Sequence, residues 1–131
     1  MNIGLVLDTS ALLAHLRLER ISAGELIGEV NEGGELAGVP ALAVMEVWPK
    51  LDSDELDRLW RMVSWDDGGI IVLPVLGSDL VPLHETTPRV RGGQGVVQAV
   101  VEAGKHGCLL ATDCLSDLGT AIDLDDVVEL S

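Results

Sequence analysis

The chain begins with a short apolar run that stops on an aspartate. Residues 3–7 read Ile-Gly-Leu-Val-Leu, and Asp8, Thr9 and Ser10 follow directly. Such a run predicts a buried strand, and the apolar residues 11–14 predict a helix capped by Thr9 or Ser10. In an open α/β sheet, ligands and metals bind at the carboxyl ends of the strands. Asp8 is therefore either a site residue or a simple turn and capping residue.

Short apolar runs and segments of helical periodicity alternate along the rest of the chain. Further strands are predicted at 36–39, 70–73 and 108–111 and within 121–130, and helices at 10–18, 22–32, 41–50, 53–63 and 96–106. Residues 75–95 contain several Gly and Pro residues, which indicate a short helix and then a loop. This alternation favours a parallel sheet covered on both faces. We predict one α/β domain over residues 1–131, a three-layer α/β/α sandwich with a central, mostly parallel sheet.

The composition is that of a folded protein outside membranes. The chain has 131 residues, 47% of them hydrophobic, which is enough to bury a sizeable core. No apolar run reaches the roughly 18–20 residues that cross a bilayer, and residues 1–20 do not resemble a signal peptide. We expect a cytoplasmic protein with no membrane partner. Cys108 and Cys114 match neither a zinc site nor a CxxC pair, so reduced thiols are predicted.

The charge balance limits how this chain can contact nucleic acid. With 22 acidic and 8 basic residues, its formal net charge is -14, which repels phosphate at long range. Binding to nucleic acid would need divalent cations, a local basic patch or a basic partner. The aromatic residues are Trp48, Trp60 and Trp65, with no Tyr or Phe. These are more typical of core or partner-interface anchors than of base-stacking platforms.

Two further carboxylates stand in positions that suggest a site. Asp113 follows the predicted strand 108–111, and the carboxyl ends of parallel strands share one edge of a sheet, so Asp8 and Asp113 are expected to converge there. Glu46 interrupts the apolar helix 41–50. A buried glutamate is costly unless it is paired or binds a metal. The alternative is that Glu46 faces solvent beside the core.

These residues belong to three segments that resemble the PIN domain family in order and spacing. The segments are LVLDTSALLAHL, GVPALAVMEVW and EAGKHGCLLATD. The family pattern is matched at Asp8, Ser10, Glu46, Thr112 and Asp113. The resemblance implies an α/β/α sandwich, often dimeric, in which clustered carboxylates bind Mg2+ or Mn2+ and cleave RNA. Many small members resemble the toxin halves of bacterial toxin–antitoxin pairs, which implies an antitoxin-type partner and a homodimer.

The resemblance also implies roles for these residues. Asp8, Glu46 and Asp113 would be the catalytic metal ligands, and Ser10 and Thr112 would support them by hydrogen bonding. Oxygen ligands suit Mg2+ and Mn2+, and such cations polarise a phosphate and lower the pKa of an attacking water. The chemistry of these residue types therefore agrees with phosphodiester hydrolysis.

Two departures from the family pattern weaken the predicted site. The family usually carries a further Asp where this chain has Gly95 or Val96, and its final Asp more often stands at the position of Cys114. Asp117 is a candidate substitute for the latter. Fewer carboxylates imply weak binding of Mg2+ or Mn2+. The sequence thus favours a metal-dependent ribonuclease with a weakened acidic site, which is also a candidate toxin. The alternative is a catalytically inactive PIN-like protein that acts by binding or regulation.

The glycine-rich segment 92–95 allows two interpretations. Backbone N–H groups before the predicted helix 96–106 could bind a phosphate, with Arg89 and Arg91 nearby. Short glycine clusters are also common in flexible loops. A third functional class, a receiver-like domain, is the least favoured because the strand at 70–73 ends without a phosphoacceptor aspartate.

Overall fold

The computed structural model describes residues 2–64 and 68–131. The strands are β1 (Ile3–Leu7), β2 (Leu36–Pro40), β3 (Ile70–Leu73), β4 (Leu109–Thr112) and β5 (Val127–Glu129). The helices are α1 (Thr9–Leu16), α2 (Ile21–Glu32), α3 (Ala41–Val47), α4 (Ser53–Ser64), α5 (Leu80–Thr86) and α6 (Gln94–His106). The predicted helix 41–50 is α-helical only to Val47, since a 3-10 turn containing Pro49 follows at Trp48–Lys50. The segment predicted as loop also contains a 3-10 turn, Thr87–Arg89.

The strands form one parallel sheet with the order β3-β2-β1-β4-β5. The chain runs from β1 outward through β2 to β3, and then crosses to the other side of β1 to add β4 and β5. The strand order therefore reverses between β1 and β4, and ligands bind at such reversal points in open α/β sheets. The predicted three-layer α/β/α sandwich is confirmed.

The two faces of the sheet carry separate apolar cores. Leu5 and Leu7 of β1 point into a core shared with α1, α2, α3 and α4. Val6 points the opposite way, into a core built largely with α6. Successive side chains of a strand alternate between faces, so β1 contributes to both cores and is buried between them. The residues at its carboxyl end are held in place from both sides.

Some large apolar side chains lie on the surface. The rings of Trp48 and Trp60 form an edge-to-face pair with centroids 6.3 Å apart, and the two residues are 40% and 60% exposed. Trp65, the third predicted anchor, lies outside the described residues. Within the described ranges, no helix is long and apolar enough to cross a membrane. Cys108 and Cys114 are free thiols.

Candidate functional site

Asp8 ends β1, and its carboxylate is completely buried. Its backbone is extended, and its Oδ1 accepts hydrogen bonds from Ala11 N at 2.9 Å and Ser10 Oγ at 2.8 Å. Oδ2 accepts one from Thr112 Oγ1 at 2.6 Å. Asp8 itself therefore caps α1, where the sequence had suggested Thr9 or Ser10. Both carboxylate oxygens have partners, so Asp8 is at once a helix cap and the centre of a polar network.

The hydroxyls of Ser10 and Thr112 connect Asp8 to the end of β4. Their oxygens lie 3.1 Å apart, but each hydroxyl has a single proton, and both protons are donated to Asp8. The remaining lone pairs accept backbone N–H groups, from Asp113 to Ser10 at 2.9 Å and from Cys114 to Thr112 at 3.1 Å. The network thus fixes the turn after β4 against the start of α1.

Burial raises the pKa of Asp8 above its ordinary value. Hydrogen bonds from Thr112, Ala11 and Ser10 oppose this effect, and the negative charge of Asp117 adds to it. Desolvation disfavours the charged form of a carboxyl group, whereas donors that bind the carboxylate favour it. The charge of Asp117 therefore contributes to the raised pKa of Asp8, although no atom of Asp8 reaches solvent.

Glu46 on α3 has a role that the sequence did not reveal. Its Oε1 accepts hydrogen bonds from Gly95 N at 2.7 Å and from Thr9 Oγ1 at 3.0 Å. Gly95 lies in the first turn of α6, whose N-cap residue Gly93 has no side chain with which to cap it. A carboxylate is favourable at a helix N-terminus, so Glu46 caps α6 from a neighbouring helix. Glu46 is therefore partly buried, and its Oε1 is not free to bind a metal.

The packing around Gly95 leaves no room for the further carboxylate that the PIN resemblance implied at Gly95 or Val96. A Cβ atom built on Gly95 would overlap Thr9 Oγ1 and would lie 2.5 Å from Glu46 Oε1 and 2.6 Å from Ala43 Cα. Val96, the other candidate position, is buried in the α6 core. Within the glycine-rich segment, Gly95 N already binds Glu46 and Gly92 N binds Asp117 O, so these two N–H groups are not free to bind a phosphate.

The two aspartates after β4 have different surroundings. Asp113 Oδ1 accepts a hydrogen bond from Arg20 Nε at 2.8 Å, so Asp113 forms an ion pair with the connection between α1 and α2. Asp117 instead lines an open cavity of about 200 Å³ together with Ser10, Glu46 and Lys50. Of the predicted carboxylates, the cavity therefore brings together Glu46 and Asp117, and Asp8 lies beneath it.

Lys50 also lines the cavity that contains Glu46 and Asp117, and the sequence patterns did not predict it as a site residue. It follows Glu46 by four residues, which is one helical turn, and this spacing was the only signal in the sequence. In the structure its side chain adds a positive charge to a cavity that otherwise carries two carboxylates.

The cavity fits a weakly held hard cation. The described part of the chain contains no group of three or more His, Cys, Asp or Glu side chains placed to share a metal ion. Glu46 and Asp117 supply two carboxylates, and Ser10 supplies a neutral oxygen. Mg2+ often keeps several waters and binds proteins through only one or two carboxylates plus a substrate phosphate. The donor set agrees with that mode of binding.

No family model matches the sequence, and a search of curated proteins gave no match either. The functional interpretation therefore rests on the motifs and on the geometry of the site.

Proposed function

We propose that this chain is a PIN-like, metal-dependent ribonuclease with a weakened acidic site. The observation that carries the proposal is the cavity at the strand-order reversal, where Glu46, Asp117 and Lys50 surround one opening above the Asp8 network. Two carboxylates can hold Mg2+ or Mn2+, and a lysine can hold a phosphate oxygen. This combination suits the hydrolysis of a phosphodiester better than the binding of an apolar ligand.

In this proposal each residue has a distinct task. Glu46 and Asp117 would hold the cation, which would supply polarisation of the phosphate and a lower pKa of the attacking water. Asp8 is a positioning residue, because it holds Ser10 and Thr112 and has no exposed atom. Asp113 anchors Arg20 and stays outside the cation site. The ligand set thus differs from the sequence prediction by replacing Asp8 and Asp113 with Asp117.

A second candidate is a catalytically inactive PIN-like protein that acts by binding. Two observations favour it: Asp8 is fully buried with both oxygens occupied, and Gly95 has no room for the missing carboxylate. The predicted antitoxin-type partner and homodimer stay predictions under either candidate. Exposed Trp48 and Trp60 supply apolar surface of the kind that protein interfaces use.

The two candidates are separated by measuring cation binding and RNA cleavage on the same variants. Mn2+ is titrated by calorimetry, and cleavage of a mixed-sequence single-stranded RNA is followed in Mn2+. We expect weak Mn2+ binding and slow, Mn2+-dependent cleavage in the wild type, both lost in Asp117→Asn. Glu46→Gln should also lose them, although its amide oxygen can still cap α6.

Asp113→Asn is the matched control, since it removes the same charge from the same turn. It should keep Mn2+ binding and cleavage. Equal losses in Asp113→Asn and Asp117→Asn would contradict the assigned ligand set. Submicromolar Mn2+ affinity would contradict the weakened site, and Mn2+ binding without any cleavage would favour the inactive candidate.

A further inference from the structure

Three of the four basic residues that have no acidic partner among the described residues lie near the candidate site. Of the eight basic residues in the chain, four form ion pairs within 4.0 Å, namely Arg17, Arg20, Arg61 and Lys105. The other four have no such partner among the described residues: Lys50, Arg58, Arg89 and Arg91. All of these except Arg58 line one of two neighbouring cavities. In a chain with a net charge of -14, such a cluster indicates a surface that attracts anions.

The second cavity has a volume of about 360 Å³. Its lining includes Arg89 and Arg91 from one segment and Ser116, Gly119 and Thr120 from another. It therefore offers two guanidinium groups and two hydroxyl groups around one opening. An arginine fork matches the oxygens of a phosphate group, and hydroxyls can donate to the same oxygens.

Hydrogen bonds hold the two walls of this cavity together. Thr120 N donates to Arg89 O at 3.0 Å, and Arg89 Nη2 donates to Thr120 O at 2.8 Å. Gly119 has a φ of 57°, and a Cβ atom on it would overlap Arg89 O, so only glycine permits this close approach. The bond to Thr120 fixes the guanidinium of Arg89 and leaves its other N–H groups available. The cavity is thus preorganised.

One turn of chain connects the basic cavity to the acidic one. Ser116 lines the basic cavity and Asp117 lines the acidic cavity. The carbonyl oxygen of Asp117 accepts hydrogen bonds from Arg91 N at 2.9 Å and Gly92 N at 3.0 Å. The two cavities therefore form neighbouring compartments of a single surface, with the cation ligands in one and the arginines in the other.

We propose that the cavity formed by Arg89, Arg91, Ser116 and Thr120 binds a backbone phosphate of single-stranded RNA, next to the phosphate that a cation bound at Glu46 and Asp117 would hold. The choice of RNA rests on the proposed function, whereas phosphate binding by the arginines does not. The substrate is then a strand with at least two consecutive phosphates. This arrangement also explains how a strongly acidic protein approaches a polyanion: the local cations offset the repulsion at the site.

The test is a titration of isotope-labelled protein in Mg2+, followed by the amide NMR signals of Arg91, Gly119 and Thr120. One arm uses a single-stranded RNA hexamer and the other uses inorganic phosphate. We expect both to shift these signals, with the hexamer binding at least about tenfold more tightly than phosphate because it also reaches the cation compartment. Absence of shifts with the hexamer would overturn the proposal. Equal affinities for hexamer and phosphate would show a site for free phosphate and would also overturn it.

Arg91→Gln provides the decisive variant, since the Arg91 side chain is exposed and its backbone N–H, which binds Asp117 O, is unchanged by the substitution. It should weaken hexamer binding about tenfold and reduce the slope of log affinity against log salt by about 0.7. Arg61→Gln is the matched control: it changes the net charge equally, on exposed α4, away from both cavities. If both variants bind the hexamer equally weakly, the loss of affinity comes from the change in net charge, and the proposed phosphate site is refuted.

Phosphate binding in this cavity and ribonuclease activity can be confirmed or refuted independently of each other. If the hexamer shifts these signals and Arg91→Gln weakens its binding about tenfold more than Arg61→Gln does, the phosphate site stands even when no RNA is cleaved. If cleavage depends on Asp117 but the hexamer leaves these signals unmoved, the ribonuclease proposal stands and the phosphate site falls.

Discussion

Replacing Gly95 with alanine tests the cap that Glu46 forms on α6. The new Cβ would overlap Thr9 Oγ1 and would lie 2.6 Å from Ala43 Cα. A side-chain oxygen can move aside, but Ala43 Cα is backbone, so α3 and α6 would have to separate. The same movement would pull Glu46 Oε1 from Gly95 N, to which it is bonded at 2.7 Å.

Two effects of the substitution lower the free energy of unfolding, and one raises it. Overpacking costs about 1–3 kcal/mol, and weakening a hydrogen bond to a charged group costs up to about 1.5–3 kcal/mol. The higher helix propensity of alanine returns about 1 kcal/mol. The net loss in the free energy of unfolding is about 1.5–5 kcal/mol. For a chain of this size, that corresponds to a melting temperature lower by roughly 5–18 °C.

Urea denaturation followed by circular dichroism measures this loss, and Gly104→Ala is the matched control. Gly104 lies on the same helix, is exposed, and has nothing within 4 Å of a built Cβ. The control should therefore gain about 0.4–1 kcal/mol. If Gly95→Ala is as stable as Gly104→Ala, the tight packing of Glu46 against α6 is refuted. The same geometry predicts that Gly95→Asp will not restore a metal ligand.

Three further outcomes concern buried polar groups. Thr112→Val should cost about 1–3 kcal/mol, because Asp8 Oδ2 loses its donor; unchanged stability in urea would contradict the network. Because the pKa of Asp8 is raised on folding, its contribution to the free energy of unfolding is fully present below the unfolded pKa of 3.8 and is lost as the pH rises through the folded pKa. The stability of the wild type relative to Asp8→Asn should therefore fall over that pH range. A difference that does not change with pH would contradict this. Hydrogen bonding by Lys105 lowers the pKa of Asp79, giving stability that is lost as the pH falls through the folded pKa. Lys105→Met should therefore destabilise the protein at neutral pH and progressively less in acid, and an equal effect at both would argue against the pair.

The fold followed from the sequence because its signals are local. Each strand is a short apolar run bounded by polar or turn residues, and each helix shows its own periodicity. The bounds moved where a distant contact decides them. Helix α6 begins at Gln94, two residues before the predicted start, since Glu46 caps it from α3. Strand β2 extends one residue beyond its predicted end, to Pro40, which pairs with Leu73 and is also the N-cap residue of α3.

The site was harder to predict because it depends on side-chain direction. The sequence placed Asp8 and Asp113 at strand ends, but successive residues of an extended chain point in opposite directions. Thr112 faces Asp8, and Asp113, the next residue, therefore turns away toward Arg20. The contact between Arg20 and Asp113 spans 93 residues, and no local pattern in the sequence encodes it.

The position of β1 in the sheet has a consequence for folding kinetics. Strands β1, β2 and β3 are consecutive in the chain and adjacent in the sheet, whereas β4 joins β1 from the far side. The hydrogen bond between Thr112 and Asp8 spans 104 residues, and contacts that close such long loops form slowly. We expect the polar network to assemble late, after the first three strands have paired. Mutations in this network should then accelerate unfolding more than they slow folding. Detachment of β4 and β5 would disrupt the site while leaving β1, β2 and β3 paired.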